Sequence, residues 1–228
     1  MTAKHDENLV ALKAAERKAF ALLDAIEAAR LILPGRTEME VERDIFTLAV
    51  SQFGVTEHWH DRVVRAGINT LCTAAETAPN RTIGDDDIVF IDLGPVFGTW
   101  EADVGRSYAV GADPRKHGLC ADLSAVFDAV KSRFHEEVDI TGAELFAAAH
   151  EEANCRGWLF GGKIAGHLVG KFPYARMQER KLSLISPDNN MRMRNTDAAG
   201  KSRHWILEIH LVSPDYNFGG FYERLLEG

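Results

Sequence analysis

Hydrophobic and polar positions along the chain fall into blocks of helical and strand periodicity. Residues 7–33 repeat hydrophobic positions at helical spacing, which predicts a first helix rich in Ala, Leu, Glu and Lys. Thr37 and Glu40 form a capping-box signature for a second helix that ends at Gly54. Residues 57–67 then predict a strand.

The second half of the chain repeats this order of elements. A helix is predicted over residues 121–138, and a second capping-box signature at Thr141 and Glu144 begins a helix that runs to Cys155. In each half, the two helices are followed by a pair of strands that carries acidic residues. Two copies of one plan, with no linker between them, predict an internally duplicated α+β fold in which residues 1–228 form one domain.

The first acidic pair lies on two strands joined by a short turn. If Phe97-Gly98 forms a two-residue hairpin loop, Val96 pairs with Thr99 and Asp92 lies opposite Asp103 on the same face. Two carboxylates at that distance repel each other unless a proton or a cation lies between them. A hard divalent metal ion is the natural occupant.

A second acidic pair is expected near the C-terminus. Residues 204–212 predict a strand whose odd positions are wholly apolar and pack under helices, while its even positions include His204, Glu208 and His210. A tight turn at Asp215-Tyr216 brings Glu223 of the last strand opposite Glu208, although a wider loop with a bulge is equally compatible with the sequence.

Composition and charge exclude several classes of function. The chain has 228 residues, of which 46% are hydrophobic, and a formal net charge of -8, so it can bury a sizeable core but has no basic stripe for a nucleic-acid partner. Its apolar runs are far shorter than a membrane span, and residues 1–7 lack a signal-peptide core. The cysteines are widely spaced and lack a Cys-x-x-Cys element, which is typical of a reducing compartment. We therefore expect a cytoplasmic protein with no membrane partner.

The glycine-rich segment 161–170 lies between the two acidic pairs and contains a single histidine, His167. The chain order Asp, Asp, His, Glu, Glu, with ten residues between the first two, resembles the pita-bread metallopeptidases: methionine aminopeptidase, aminopeptidase P, prolidase and creatinase. The resemblance implies the pita-bread fold and two divalent ions, which manganese, iron, cobalt or zinc would supply. The metal ligands that it implies are Asp92, Asp103, His167, Glu208 and Glu223.

Other residues are candidates for proton transfer and substrate contact. The resemblance implies that Glu208 also assists proton transfer to or from the nucleophilic water, and that Arg106, which follows the second Asp as in the family, contacts the substrate. His210 shares a strand face with Glu208, where it either takes part in catalysis or supports a ligand through a hydrogen bond. Tyr174 either donates a hydrogen bond to a substrate oxygen or fills the pocket. His60 either reaches the substrate pocket or lies at the surface.

The expected function is a dinuclear-metal hydrolase that resembles Xaa-Pro aminopeptidases and dipeptidases and acts on a small peptide or amide. Many relatives carry two further histidines, one where this chain has Tyr174 and one near Ala75. Their absence motivates an alternative with the same fold, a creatinase-like C–N hydrolase or an oxygen-activating enzyme for a small amino-acid-like molecule. A metal-free binding module is a third hypothesis, which the intact ligand set argues against. A homodimer stays open.

Overall fold

The structure is a computed structural model that describes residues 6–73, 76–174 and 182–227. Within these residues, the helices are α1 (Glu7–Ala28), α2 (Glu38–Phe53), α3 (Pro114–Glu136) and α4 (Gly142–Cys155), with a 3-10 helix at Gly67–Leu71. The strands are β1 (Val63–Ala66), β2 (Ile88–Leu93), β3 (Val96–Phe97), β4 (Trp100–Glu101), β5 (Val104–Ala109), β6 (Leu159–Phe160), β7 (Gly166–Val169), β8 (His204–Val212) and β9 (Gly219–Leu225).

One antiparallel sheet joins the two halves of the chain. Its strand order is β1-β2-β5-β9-β8-β6, and β7 also pairs with β8. The first half supplies β1, β2 and β5, and the second half supplies the others, so the halves meet between β5 and β9, where Gly105 pairs with Glu223. A pair of helices precedes the strands of each half. This arrangement is the α+β duplication that the sequence predicted.

Local capping chemistry sets the helix ends. Thr37 and Thr141 each form the expected capping box, and Gly54 ends α2 in the left-handed conformation. The first helix ends at Ala28, earlier than expected. The third begins at Pro114, earlier than expected, because Asp113 caps it and proline suits the first helical position. None of the helices in the described ranges is long and apolar enough to cross a membrane.

The core lies in two parts, one under each helix pair. One cluster packs α1 and α2 against β1, β2 and β5, and the other packs α3 and α4 against β8. The odd positions of β8 are fully buried in the second cluster, as expected: Trp205, Leu207, Ile209 and Leu211. Each such side chain contributes about 1.5–3 kcal/mol by leaving water. The apolar face therefore anchors the strand and leaves the other face for polar residues.

The first acidic hairpin has a different register from the one expected. Its two-residue turn lies at Gly98-Thr99 and not at Phe97-Gly98, and Gly98 takes a left-handed φ of 66° that glycine adopts without steric cost. Asp92 consequently pairs with Gly105, and Asp103 lies just before β5. Because side chains alternate with a period of two, this shift of two residues keeps Asp103 on the same side of the hairpin as Asp92.

The second acidic hairpin has the expected register. Glu208 pairs directly with Glu223 across β8 and β9. The connection is a wider loop over residues 213–218, within which the Tyr216 backbone N–H donates to the Ser213 carbonyl at 2.8 Å. The turn is centred on Asp215-Tyr216, so the pairing on either side of it is the one that a tight turn would produce.

Candidate metal centre

Three strands in the middle of the sheet carry carboxylates to one place. Asp92 lies on β2, Glu208 on β8 and Glu223 on β9, while Asp103 immediately precedes β5. Asp92, Asp103 and Glu223 retain only 2–4% of their surface exposed. Carboxylates are rarely buried so completely unless a cation or hydrogen-bond donors compensate for the lost water.

Asp103 lies between two imidazole rings that come from different halves of the chain. Its Oδ1 is 3.0 Å from Nε2 of His60, and its Oδ2 is 2.9 Å from Nε2 of His167. The His60 Nε2 is also 3.4 Å from Oδ1 of Asp92, and the His167 Nε2 is 3.6 Å from Oε1 of Glu208. The structure therefore brings together all five residues of the expected ligand set and adds His60.

The chemistry of this cluster fits a divalent metal ion. Oδ1 of Asp92 and Oε1 of Glu223 are buried and accept no hydrogen bond from the residues that the structure describes. Two sets of three side chains offer ligand atoms within 4.8 Å of one another: His60, Asp92 and Asp103, and also Asp103, His167 and Glu223. A mixed set of carboxylate and imidazole ligands suits manganese, iron, cobalt or zinc.

The carboxylates of the metal-free cluster have raised pKa values because they are buried close to one another. Burial, together with the neighbouring carboxylates Asp103 and Asp92, raises the pKa of Glu223 well above its usual range. Burial also raises the pKa of Glu208 to about 7, although His167 opposes the rise. In the absence of metal, the cluster therefore takes up protons, and a bound cation would replace them.

The negative charge of the neighbouring carboxylates raises the pKa of both imidazoles. Burial lowers the pKa of His60, but Asp92 and Asp103 outweigh it and raise the pKa to about 10. For His167, burial is likewise outweighed by the hydrogen bond and charge of Asp103, and the pKa rises to about 9. Asp103, with an imidazole on each side, has its pKa lowered to about 2 despite its burial.

Residues around Trp59 hold His60 in place. The Trp59 backbone N–H donates to the Gly94 carbonyl at 2.9 Å, and its indole N–H donates to the Ala102 carbonyl at 3.2 Å. The indole ring meets the rings of both His60 and His167 edge-on, with centroids 4.4 and 4.9 Å away. A Cβ at Gly94 would lie 2.3 Å from the His60 ring, so only glycine leaves room for it there.

Arg106 and His210, both expected near the reaction, lie elsewhere. Arg106 points to the opposite side of the sheet, where its guanidinium donates to Asp24 of α1 at 2.8 Å. His210 is buried against the rings of Phe90 and Phe221, and its Nε2 is 2.8 Å from the Thr70 carbonyl. Burial lowers its pKa, so this ring is neutral and supports packing. The geometry gives neither residue a contact with the carboxylate cluster.

Tyr174 lies beside β7, the strand of His167. Its ring packs against Gly170, where a Cβ would lie 2.5 Å from it. It lines a cavity of about 340 Å³ together with Trp100, Val169, Gly170, Lys171, Asp197 and Lys201, among others. Ala75, near which the family resemblance led us to look for a further histidine, lies outside the described residues.

Comparison with known proteins identifies relatives by sequence and by fold. The sequence profile described as metallopeptidase family M24 matches residues 10–197. No curated protein in the comparison matches the sequence.

Several solved structures are similar in fold. A prolidase from Thermococcus sibiricus is 19% identical with a TM-score of 0.76, over 96% of this chain and 56% of its own. An Xaa-Pro dipeptidase from Bacillus anthracis is 20% identical with a TM-score of 0.72, over 96% of this chain and 57% of its own. A methionine aminopeptidase from Rickettsia prowazekii is 15% identical with a TM-score of 0.68, over 99% of this chain and 95% of its own.

These likenesses confirm the pita-bread fold. This chain spans a little over half the length of the prolidase and dipeptidase chains that it matches, and nearly the whole of the methionine aminopeptidase.

Proposed function

This chain belongs to metallopeptidase family M24, and from that premise we propose that it is a dinuclear-metal hydrolase of the Xaa-Pro aminopeptidase or dipeptidase type, acting on a small peptide or amide. The observation that carries the proposal is the position of Asp103, buried between two imidazoles and beside three further carboxylates. Residues 1–228 act in this proposal as one catalytic domain.

The ligand set divides around two shared carboxylates. Asp92 would hold one ion, His167 with Glu208 would hold the other, and Asp103 and Glu223 would be shared by the two. Oδ1 of Asp92 and Oε1 of Glu223 support this division, because each is buried and accepts no hydrogen bond from the described residues. When bound, the ions polarise the scissile carbonyl and make water acidic enough to attack near neutral pH.

Glu208 is the residue that this proposal gives the proton-transfer role. Its side chain keeps 17% of its surface exposed, which leaves it more accessible than the other cluster carboxylates. An acid-base group must lie within reach of both the attacking water and the leaving group. It would accept a proton from the attacking water and return it to the leaving amine.

The cavity that Tyr174 lines lies beside the strand of His167 and would take a small substrate, although the described residues that line it include no member of the carboxylate cluster. Its volume of about 340 Å³ lies at the lower end of the range for small-molecule sites. Lys171 and Lys201 on its wall would attract a substrate carboxylate, and the Tyr174 hydroxyl would donate a hydrogen bond to a substrate oxygen.

A second candidate function keeps the metal ions and changes the substrate. Tyr174 stands where many relatives have a histidine that contacts the developing tetrahedral intermediate, so peptide hydrolysis would lack one donor. The alternative is a C–N hydrolase or an oxygen-activating enzyme that acts on a small amino-acid-like molecule.

The test is an activity screen of the metal-loaded protein. Protein loaded with manganese, cobalt, zinc or iron(II) is incubated with Xaa-Pro dipeptides, Xaa-Pro-Xaa tripeptides and Met-initiated peptides, with Glu208→Gln as the matched control. We expect hydrolysis of Xaa-Pro bonds that chelation removes and that the variant lacks. If the wild type binds two ions but cleaves none of these peptides, the second candidate takes precedence.

A further inference from the structure

The two imidazoles at Asp103 are held by the same pattern of contacts. Nδ1 of His60 is 2.7 Å from the Asp61 carbonyl, and Nδ1 of His167 is 2.9 Å from the Leu168 carbonyl. A carbonyl oxygen can only accept, so Nδ1 carries the proton in both rings. Each ring then directs Nε2 at an oxygen of Asp103. In metal sites, this use of one ring nitrogen to donate to a backbone carbonyl orients the other nitrogen toward the ion.

The surroundings of the His60 Nε2 require a positive charge. In the neutral ring with Nδ1 protonated, Nε2 has a lone pair that faces Oδ1 of Asp103 at 3.0 Å and Oδ1 of Asp92 at 3.4 Å. Three electron-rich atoms at these distances repel one another unless a proton or a metal ion lies between them.

The distances are those between neighbouring ligands of one ion. Ligand atoms about 2.1 Å from a zinc-type ion are separated by about 3.0 Å at a right angle and about 3.4 Å at a tetrahedral angle. The two separations from Nε2 to the carboxylate oxygens match these values. His60 therefore has the spacing of a neighbouring ligand to both carboxylates, and the three side chains offer ligand atoms within 4.8 Å of one another.

We propose that His60 is a protein ligand of the ion on the Asp92 side. This inference rests on the proposed metal site and deepens it. Each of the two ions would then have one imidazole, His60 for one and His167 for the other, with Asp103 shared between them. This role differs from both alternatives that the sequence left open for His60, a substrate contact and a surface position.

The chain holds His60 firmly enough to serve as a ligand. Backbone hydrogen bonds join Glu57 to Val96 and Trp59 to Gly94 at 3.0 and 2.9 Å, so the segment before β1 is fixed to the connection between β2 and β3 and to the start of β3. The Trp59 indole packs against the ring. A ligand whose rotamer is set by packing and by a hydrogen bond at its other nitrogen pays little entropy when metal binds.

The experiment counts imidazoles and ions in His60→Gln. Cobalt(II) and zinc are titrated into wild type, His60→Gln, His167→Gln and His58→Gln, and the zinc forms are examined by X-ray absorption for imidazole scattering. His58 is the matched control, because it is a histidine two residues away whose Nδ1 faces Arg62. Circular dichroism verifies that each variant is folded.

We expect wild type and His58→Gln to bind two ions with an average of one imidazole each. His60→Gln and His167→Gln should each lose half of the imidazole signal. Each variant should bind one ion at least about 100-fold more weakly, because losing a ligand costs no less than losing a residue that only orients a ligand, whose effect reaches about 100-fold. If His60→Gln does not fold, His60→Gly with added free imidazole replaces it, and imidazole should restore the tighter binding.

Two results separate this inference from the proposal beneath it. If wild type binds two ions and His60→Gln keeps the full affinity and imidazole signal, His60 is not a ligand, and the dinuclear site stands without it. If wild type binds no ion at all, the dinuclear proposal itself fails together with the inference.

Discussion

Replacing Asp103 with asparagine tests the residue that most contacts of the cluster share. Both of its oxygens lie within 3.0 Å of an imidazole nitrogen, and only 2% of its surface is exposed. Asparagine keeps the shape but loses the charge, so it cannot compensate two imidazolium rings or bridge two ions.

The expected loss of stability has two parts. In chelator, Asp103→Asn should lower the free energy of unfolding by about 3 kcal/mol, the lower end of the cost of breaking a buried ion pair, since both imidazoles can release their protons. At a metal concentration about 100 times Kd, wild type should gain about 2.7 kcal/mol for each ion bound. The variant should lose most of that gain, because its remaining ligands bind weakly.

Urea denaturation with and without manganese, at pH 7, measures both parts. Asp24→Asn is the matched control, because it removes a carboxylate whose partner Arg106 lies on the other side of the sheet. An exposed pair of this kind contributes up to about 1 kcal/mol and should leave the metal-dependent gain unchanged. If Asp103→Asn gains as much stability from manganese as wild type does, Asp103 does not bind metal.

Three further predictions follow from the same contacts. Glu208→Gln should remain folded and lose at least about 100-fold in kcat, because the amide cannot accept the proton; turnover within tenfold of wild type would show that the role belongs elsewhere. Tyr174→His should raise Xaa-Pro hydrolysis by much less than the about 10²-fold that a well-placed donor supplies, and a gain of that size would show that the pocket is an ordinary peptidase pocket. His204→Gln should lower the free energy of unfolding by up to about 1 kcal/mol at pH 5.5 and by less at pH 9. Burial lowers the pKa of His204, but Glu227 and Asp6 outweigh burial and raise it. The stabilisation is therefore present below the unfolded pKa of about 6.5 and is lost as the pH rises through the folded pKa. An equal effect at both pH values would contradict this assignment.

Local chemistry made much of the fold predictable. The capping boxes at Thr37 and Thr141 depend on residues only three positions apart, so they predicted the starts of two helices. Strict alternation along residues 204–212 distinguished the buried apolar face of β8 from its polar face. The register of Glu208 and Glu223 followed because the turn is centred between them.

Long-range contacts explain what the sequence did not predict. His60 enters the cluster because the segment before β1 is hydrogen-bonded to residues 94–96, more than thirty positions away, and does not continue the strand. The register predicted for the first hairpin was wrong because Gly98, which has a positive φ, is the first residue of the turn and not the second. The prediction that Arg106 contacts the substrate was wrong, and strand alternation was sufficient to exclude it. Gly105 pairs with Asp92, so the side chain of Arg106 lies on the opposite face of the sheet from the carboxylates.

A crystal structure of the protein grown with cobalt(II) and measured at the cobalt absorption edge would show whether the carboxylate cluster holds two metal ions. The anomalous difference map reports metal positions independently of any substrate. We predict two peaks, one on each side of the Asp103 carboxylate, with Asp92 beside one and Glu208 beside the other. A map with no peak within coordination distance of Asp103, from crystals that contain saturating cobalt, would contradict the account.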